Sequence, residues 1–235
     1  MDRSQAKPRA QAGDLSGRLV TLDDPDSVAA EAYRTLRTSL MFSLVDSPPK
    51  AILLTSAGKE EGKSTTCANL AIALAQAQKN VLVVDCDLRR PVMHKIFGLR
   101  NFEGMTDVLT GERGVQEVLQ RPLDNLSVIT VGPLPPNPAE LLSSKRFTEF
   151  LRAMRASFDY VLVDAPPIGP VSDPAIVATQ VDGVLLVLNS QSARKKEVHQ
   201  AVRSLDAVGA RVLGTVINNV RARKGDYYRY SYSYA

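Results

Sequence analysis

The stretch from residue 51 to residue 66 constrains the fold of this chain more than any other. It reads Ala-Ile-Leu-Leu-Thr-Ser-Ala-Gly-Lys-Glu-Glu-Gly-Lys-Ser-Thr-Thr, so a short apolar run leads into a loop and then into a helical pattern. The loop matches the phosphate-binding pattern G-x-x-x-x-G-K-[ST], with Ala57 at the first glycine and with Gly62, Lys63 and Ser64 in register. The sequence therefore predicts a buried strand, a phosphate-binding loop and a helix that begins at Lys63.

Each part of this loop has a chemical role toward a nucleoside triphosphate. The loop amides and the positive end of the helix dipole hold phosphate oxygens. The Lys63 ammonium neutralises the β- and γ-phosphates, and the Ser64 hydroxyl is a ligand for Mg2+. We therefore predict a site for a nucleotide that is bound together with Mg2+.

Two other apolar runs end in aspartates. Residues 81–84 lead into Asp85 and Asp87, and residues 160–163 lead into Asp164. Runs of four apolar residues are typical of strands buried on both faces. Since ligands of an open parallel sheet bind beyond the carboxyl ends of its strands, all three carboxylates are expected beside the phosphate-binding loop. A single aspartate at a strand end is more often a turn cap, but three of them here favour an active site, with Asp164 coordinating Mg2+ through water.

Strands and helices alternate along the rest of the chain. Further strands are predicted at 126–131, 183–188 and 212–217, and residues 19–22 are a candidate edge strand. The predicted helices are 27–44, 63–78, two short helices within 104–120, 139–157 and 193–208. This alternation predicts an α/β fold of the P-loop NTPase kind, with a mostly parallel sheet and helices on both faces.

Composition narrows the functional classes. The chain has 235 residues, of which 44% are hydrophobic and 23% are charged, which is typical of one globular core. A formal net charge of +4 is too small to imply a nucleic acid partner. No run of 18 apolar residues exists and the first 17 residues are polar, so we expect a cytoplasmic protein. Cys67 and Cys86 fit reduced packing residues better than a disulfide or a metal site.

The two ends of the chain differ from its centre. Residues 1–26 lack sustained periodicity and are predicted to be largely flexible, and residues 27–220 are predicted to form the P-loop domain. Residues 221–235 are predicted to be a disordered segment, because they contain almost no aliphatic side chain to bury. Five of the seven tyrosines lie in this segment: Tyr227, Tyr228, Tyr230, Tyr232 and Tyr234. Such a segment suits a multi-site substrate, although an aromatic stacking patch or an incidental tail would have the same composition.

In order and spacing, these motifs resemble the bacterial tyrosine kinases (BY-kinases) that autophosphorylate during capsular and exopolysaccharide synthesis. The resemblance extends from about Ser27 to the C-terminus. It rests on the following segments: Glu31-Ala-Tyr-Arg34-Thr-Leu-Arg37, the phosphate-binding loop, Asp85-Cys-Asp87-Leu-Arg-Arg-Pro, Asn137-Pro-Ala-Glu-Leu-Leu, Asp164-Ala-Pro-Pro, Asn218-Asn219 and the tyrosine cluster.

The resemblance implies a role for each part of the site. It implies ATP and Mg2+ as cofactors, Asp85 as the base toward the incoming tyrosine hydroxyl, and Arg89 as a further positive charge. The implied catalytic residues are Lys63, Asp85, Asp87, Arg89 and Asp164, and the implied metal-binding residues are Ser64, Asp87 and Asp164. The implied nucleotide-binding residues are Ala57, Gly58, Lys59, Glu60, Glu61, Gly62, Lys63, Ser64, Thr65, Asn218 and Asn219.

The resemblance also implies partners. Members of this family form homo-oligomeric rings in which the helix carrying Glu31, Arg34 and Arg37 packs against a neighbour, so that the tyrosine cluster of one subunit is phosphorylated in trans by the next. Alternatively, these three charges form an intrahelical pair. Stand-alone members need a membrane-bound activator, which is a polysaccharide co-polymerase, and a tyrosine phosphatase reverses the reaction. A cytoplasmic protein recruited to the inner face of the cell membrane is therefore implied.

Two departures from the family pattern leave other functions open. Glu60 stands where most relatives have a third loop glycine, and Asn189 replaces an expected basic residue. A weakly active ATP-binding scaffold of the polysaccharide machinery is therefore one alternative. A positioning or partition ATPase is the other, although Gly58 stands where those proteins carry a signature lysine.

Overall fold

The computed structural model describes residues 19–42 and 48–220, and within them seven strands form one sheet. The strands are β1 (Ala51–Ser56), β2 (Val81–Asp85), β3 (Gln120–Leu123), β4 (Leu126–Ile129), β5 (Tyr160–Asp164), β6 (Gly183–Asn189) and β7 (Val212–Asn218). Their order across the sheet is β3-β4-β2-β5-β1-β6-β7, and every neighbouring pair is parallel except β3 and β4. The predicted mostly parallel sheet is confirmed.

Helices cover both faces of this sheet. In the described ranges they are α1 (Val20–Asp23), α2 (Val28–Phe42), α3 (Lys63–Gln76), α4 (Met93–Phe97), α5 (Met105–Thr110), α6 (Val115–Val118), α7 (Pro138–Leu142), α8 (Lys145–Ser157), α9 (Asp173–Ala178) and α10 (Lys195–Ala207). Leu70 of α3 and Met93 of α4 belong to the core on one face, and Phe147 of α8 and Val177 of α9 belong to the core on the other. The α/β class predicted from the alternation of elements is therefore confirmed.

The position of the central strands between two layers of helices explains their apolar sequences. All residues of β1, β2, β4 and β5 are buried, because helices pack on both faces of each strand. Such strands read as continuous apolar runs instead of alternating patterns. Since β1, β2 and β5 are parallel neighbours, the residues at their carboxyl ends, Ser56, Asp85 and Asp164, emerge at one edge of the sheet.

The candidate edge strand at residues 19–22 was a wrong prediction, because these residues belong to helix α1 and its flank. The backbone N–H of Thr21 donates to Asn69 Oδ1 at 3.0 Å, and Gln76 Nε2 donates to the Thr21 carbonyl at 3.3 Å. Both partners lie on α3, so α1 docks on the helix that follows the phosphate-binding loop and not on the sheet. The side-chain amides of Asn69 and Gln76 thus form the hydrogen bonds with the Thr21 backbone that a neighbouring strand would form in a sheet.

Other element boundaries also differ from the predictions. The single helix predicted at 139–157 is divided into α7 and α8, because Ser144 Oγ accepts the Phe147 N–H and caps α8. The strand β3 and the helices α4 and α9 were not predicted. Ser27 Oγ accepts the Ala30 N–H at 3.1 Å and so caps α2, close to the predicted start of that helix at residue 27. The predicted end of that helix at residue 44 lies outside the described residues, as do residues 1–18 and 221–235.

Candidate active site

The phosphate-binding loop is held in a tight turn at Gly62, which immediately precedes α3. Gly62 has a φ of +87°, and a Cβ atom added there would lie 2.0 Å from Asn218 Nδ2. A side chain at this position would therefore be both strained and in collision. Asn218 Nδ2 also donates to the Glu61 carbonyl at 3.2 Å. The predicted loop and the predicted asparagine at the end of β7 are thus in direct contact.

The rest of the loop is braced by its own side chains. Glu61 is 2% exposed, and its carboxylate accepts the Gly58 N–H at 2.9 Å. Ser56 Oγ donates to the Gly58 carbonyl at 2.7 Å. Glu60 is exposed and has a φ of +59°, so a side chain occupies the left-handed conformation that glycine adopts most easily. The loop is therefore well ordered at a conformational cost that falls on Glu60.

Four side chains form a compact polar cluster where α3 meets the strand ends. Lys63 Nζ lies 3.1 Å from Asp87 Oδ2, 3.3 Å from Asp164 Oδ2 and 3.0 Å from Ser64 Oγ. Ser64 Oγ in turn donates to Asp164 Oδ2 at 2.6 Å. Strand β1 brings in the loop with Lys63 and Ser64, and the ends of β2 and β5 bring in the two aspartates. The structure thus brings together the residues that were predicted to hold phosphate and metal.

Burial and the neighbouring charges shift the pKa values of Lys63 and Asp164 in this cluster. Burial disfavours the Lys63 ammonium, but attraction by Asp164 and Asp87 outweighs it and raises the pKa of Lys63. Burial raises the pKa of Asp164, while Lys63 and the hydrogen bond from Ser64 work in the opposite direction. The ammonium is therefore charged at neutral pH and is held in place by carboxylates.

Asp85 lies beside the cluster but has different partners. Its Oδ1 accepts the Asp87 N–H at 3.1 Å, and its Oδ2 accepts the N–H groups of Val92 and Met93 at 3.2 and 3.1 Å. Asp85 is fully buried, and burial together with the charge of Asp164 raises its pKa to about 7, although the Met93 N–H and Lys63 oppose the shift. The carboxylate therefore shapes the loop between β2 and α4.

Arg89 is held in a bidentate ion pair. Its Nε and Nη2 donate to Asp173 Oδ2 and Oδ1 at 2.6 and 3.1 Å. Asp173 is fully buried at the start of α9, whereas the Arg89 side chain is 42% exposed. The pair connects the segment after β2 with the segment after β5. Sequence reasoning missed Asp173, although Ser-Asp-Pro at 172–174 is a helix-start signal.

The remaining predicted residues fall around this centre or away from it. Ala57 is buried, Lys59 is exposed, and the carbonyl of Thr65 accepts from Asn69 Nδ2 at 2.9 Å. Asn219 follows β7 with a φ of +56°. Asn189 Oδ1 accepts the Gln191 N–H at 3.0 Å and so stabilises a turn. The five tyrosines predicted as phosphoacceptors lie outside the described residues.

The three charged residues of α2 do not share one environment. Glu31 Oε2 and Arg34 Nε form an exposed pair at 2.6 Å, which is the intrahelical contact weighed as the alternative. Arg34 Nη2 also donates to the Pro25 carbonyl at 2.8 Å. Arg37 Nη1 instead donates to the Ala73 carbonyl at 3.1 Å, in the last turn of α3. Only Glu31 and Arg34 therefore present their charges mainly to the surface.

The cluster has the donor set that a magnesium nucleotide requires. Asp87 and Asp164, with Asp85 beside them, bring three carboxylates near one ammonium, so a divalent cation would offset the excess negative charge. Mg2+ favours oxygen ligands, retains several waters and takes oxygens from the substrate phosphates, so one hydroxyl and one or two carboxylates are enough protein ligands. The P-loop fold and this donor set fit a nucleotide bound with Mg2+, and Ser64, Asp87 and Asp164 are the side chains that would hold the metal.

Among residues 19–42 and 48–220, every helix is too short or too polar to span a lipid bilayer.

Comparison with known proteins adds independent findings. The family model described as ParA: NUBPL iron-transfer P-loop NTPase matches residues 49–226. The tyrosine-protein kinase YwqD of Bacillus subtilis (strain 168) is 40% identical over 217 residues, which are 92% of this chain and 92% of the relative. The tyrosine-protein kinase wzc of Salmonella typhi is 36% identical over 216 residues, which are 92% of this chain but 30% of that relative. The crystal structure of the chimerical protein CapA2B2 superposes with a TM-score of 0.84 and 35% identity, covering 87% of this chain and 91% of that one.

Proposed function

Because this chain belongs to the bacterial tyrosine kinase family of P-loop NTPases, we propose that it transfers the γ-phosphoryl group of ATP to tyrosine hydroxyls. The proposed acceptors are Tyr227 to Tyr234 of a second copy of the chain. The observation that carries the proposal is the Lys63 ammonium fixed between Asp87 and Asp164, with Ser64 donating to Asp164. Charge stabilisation and positioning of this kind supply most of the rate in phosphoryl transfer.

On the donor side, the proposed role of the chain is to position the phosphates and stabilise their charge, with no covalent step on the protein. Lys63 would exchange carboxylate partners for phosphate oxygens, and amides of the loop around Gly62 would donate to the same phosphates. Mg2+ held by Ser64, Asp87 and Asp164 would supply the divalent charge that offsets negative charge on the transferred group. Asn218 and Asn219, at the end of β7, are proposed to contact the rest of the nucleotide.

On the acceptor side, Asp85 is proposed to receive the tyrosine proton. A carboxylate has about four acceptor sites, and three backbone N–H groups occupy three of them. The fourth site, on Oδ1, is proposed to accept the incoming hydroxyl. The pKa of Asp85, raised to about 7, is closer to that of a tyrosine, which is about 10, than a free aspartate would be. Transfer of the proton to an Asp85 oxygen is still expected late, because bond cleavage to the leaving group leads in a loose transition state.

Assembly and regulation follow from the same proposal. Glu31 and Arg34, which form an exposed pair, are proposed to contact a neighbouring copy in a homo-oligomeric ring, whereas Arg37 has a partner on α3. The membrane-bound activator, the phosphatase and recruitment to the inner face of the cell membrane are proposed as the setting in which the kinase regulates polysaccharide polymerisation or export. Each tyrosine phosphorylation adds about −1.5 to −2 charges to a basic segment, so the product should separate from the acidic site.

A mixing experiment tests transfer between copies. One protein carries Lys63→Ala and keeps its tyrosines, and the other keeps Lys63 but has all five cluster tyrosines changed to Phe. Neither should form phosphotyrosine alone with Mg-ATP, whereas the mixture should phosphorylate only the Lys63→Ala chain. Phosphotyrosine in Lys63→Ala alone would contradict the assigned role of the loop. Phosphate outside the cluster in the five-Phe protein would contradict the assigned acceptors.

A further inference from the structure

Two loops near the carboxyl end of β4 expose large apolar side chains: one connects α4 to α5, and the other follows β4. Phe102 is 83% exposed and Leu134 is 60% exposed, and no large apolar side chain in residues 19–42 and 48–220 is more exposed than Phe102. Pro133, directly before Leu134, and Pro136, two residues after it, are also exposed. None of these side chains contributes to either core. Their exposure therefore has no explanation in the packing of this domain.

Hydrogen bonds between the two loops fix the backbone that carries these exposed residues. Asn101 and Gly132 exchange hydrogen bonds at 3.0 and 3.3 Å. The N–H of Met105 donates to the Thr130 carbonyl at 2.7 Å, and a Cβ added at Gly104 would lie 2.1 Å from that same carbonyl oxygen. Such close backbone approach ties the loop that carries Phe102 to the loop that carries Leu134. A mobile surface loop would not need these contacts, and fixed apolar groups are what a docking surface provides.

The position of this surface relates it to the acceptor. Across the sheet, Asn218 ends β7, the phosphate-binding loop follows β1, Asp164 ends β5 and Asp85 ends β2. The attacking and leaving oxygens of a phosphoryl transfer lie roughly in line. A nucleotide that extends from β7 to the loop after β1 leaves the side beyond β2 for the acceptor. The next parallel strand on that side is β4, whose following segment carries Leu134.

We infer that Phe102, Leu134 and the exposed prolines form the surface on which the acceptor segment of a second copy docks. This inference rests on the proposed tyrosine kinase function and names the residues that select its substrate. Residues 221–235 carry a tyrosine at five positions, and aromatic rings pack well on proline-rich, extended backbone and on apolar side chains. The same segment carries Arg221, Arg223, Lys224 and Arg229, which complement the acidic site.

The geometry favours a second copy over the same copy as the source of this segment. Within one copy, a path from the end of β7 to the segment after β4 crosses five strand spacings, or about 24 Å. That path passes over the ends of β6, β1 and β5, and therefore over the nucleotide site itself. A segment from another copy can approach from the free side without crossing bound nucleotide.

The experiment compares two synthetic peptides on four full-length proteins. Both peptides have the sequence of residues 221–235 and keep Tyr230, but the other four tyrosines are Phe in one and Ser in the other. The parent protein has its own five tyrosines changed to Ser, because a Phe-rich tail would compete for the same surface. The variants add Phe102→Ala, Phe102→Ala together with Leu134→Ala, or Val212→Ala as a control at an exposed apolar residue on the opposite edge strand.

Two readouts are measured for each pair. One is KM and kcat for phosphate transfer to Tyr230, and the other is binding of fluorescently labelled peptide in the presence of Mg-ADP, which needs no turnover. With the parent protein, the Phe peptide should have a KM and a Kd roughly tenfold lower than the Ser peptide. In the double variant this ratio should fall to about one, mainly through KM and not kcat, whereas Val212→Ala should preserve it. Melting temperatures confirm that each variant is folded.

The outcomes separate this inference from the proposed function. A ratio near one in the parent protein, or a preserved ratio in the double variant, overturns the docking surface. Failure to phosphorylate either peptide, with the binding ratio behaving as expected, overturns the kinase proposal and leaves the docking surface standing.

Discussion

Asp85 and Asp164 end neighbouring strands and lie opposite each other in the register of β2 and β5. Both are fully buried, and burial raises the pKa of each. Their partners nevertheless differ in kind. Asp164 contacts the side chains of Lys63 and Ser64, whereas Asp85 contacts only backbone N–H groups among its hydrogen-bond donors. The same apolar strand ending in aspartate thus organises a ligand site at one strand and shapes a loop at the next.

This difference separates a donor half from an acceptor half of the site. The donor half consists of the phosphate-binding loop, Lys63, Ser64 and Asp164, whose side chains can exchange partners with a nucleotide and Mg2+. The acceptor half consists of Asp85 and the loop at residues 86–92, apart from the Asp87 side chain, which contacts Lys63 and belongs to the donor half. The shape of this loop depends on backbone hydrogen bonds that a ligand need not replace. Substitutions on the donor half should therefore act on catalysis, and those on the acceptor half should act on both catalysis and the fold.

The largest effect is expected on the donor half. Asp164→Asn removes a carboxylate from the metal side but keeps an oxygen that can accept from Ser64. We expect the initial rate of phosphotyrosine formation to fall about 100-fold or more, with a melting temperature no lower than that of the wild type. Asp85→Asn should slow the reaction by only about tenfold, because a late proton transfer contributes less than charge stabilisation. A larger loss for Asp85→Asn than for Asp164→Asn would reverse the comparison.

A second prediction concerns the pH dependence of stability without nucleotide or metal. The pKa of Asp85 is about 7 in the folded protein and about 3.9 in an unfolded chain, so the folded state binds the proton more tightly. The contribution of protonated Asp85 to the free energy of unfolding is fully present below about pH 4 and is lost as the pH rises through about 7. The melting temperature in EDTA should therefore fall as the pH is raised from about 5 to about 8.

The variant Asp85→Asn should flatten this fall by about 2 °C or more. Asp206→Asn, which removes an exposed carboxylate on α10, serves as the matched control and should leave the slope unchanged. If the melting temperature falls with pH equally in the wild type and in Asp85→Asn, ionisation of buried Asp85 is not the cause of the fall.

The donor half could be predicted from the sequence more completely than the acceptor half. Gly62, Lys63 and Ser64 stand at fixed spacing on one loop, and Asp164 ends a fully apolar strand, so local pattern places them together. The pairing of Arg89 with Asp173 could not be predicted, because the two residues are 84 positions apart and depend on the packing of α9. Likewise, residues 20–22 form part of a helix that contacts Asn69 and Gln76 on α3, and no local pattern encodes these contacts.

The third prediction tests the ion pair between Arg89, in the loop of the acceptor half, and Asp173, at the start of α9. Arg89→Ala leaves the buried Asp173 carboxylate without its bidentate partner. We expect a loss of roughly 1 to 2 kcal/mol in the free energy of unfolding, measured with urea, because the hydrogen bonds to a charged group are lost on one side only. Arg89→Lys keeps the charge but not the fork, so it should recover only part of the loss. Full stability in Arg89→Ala would mean that the loop after β2 and helix α9 are held together without this pair.

The smallest effect is expected at Glu60, where the donor half carries both strain and surplus charge. Its φ of +59° disfavours a side chain, and its carboxylate is on a loop that must receive phosphates. Glu60→Gly relieves both, and Glu60→Gln relieves the charge but keeps the Cβ atom. We expect Glu60→Gly to raise the free energy of unfolding by about 0.5 kcal/mol, since the relief of strain exceeds the entropy that glycine adds to the unfolded chain, while Glu60→Gln leaves it nearly unchanged. Both variants should bind Mg-ATP about twofold more tightly at low salt, and this gain should shrink as salt is added, because an exposed charge is screened. If Glu60→Gly gains affinity and Glu60→Gln does not, backbone conformation and not charge limits nucleotide binding on the donor half.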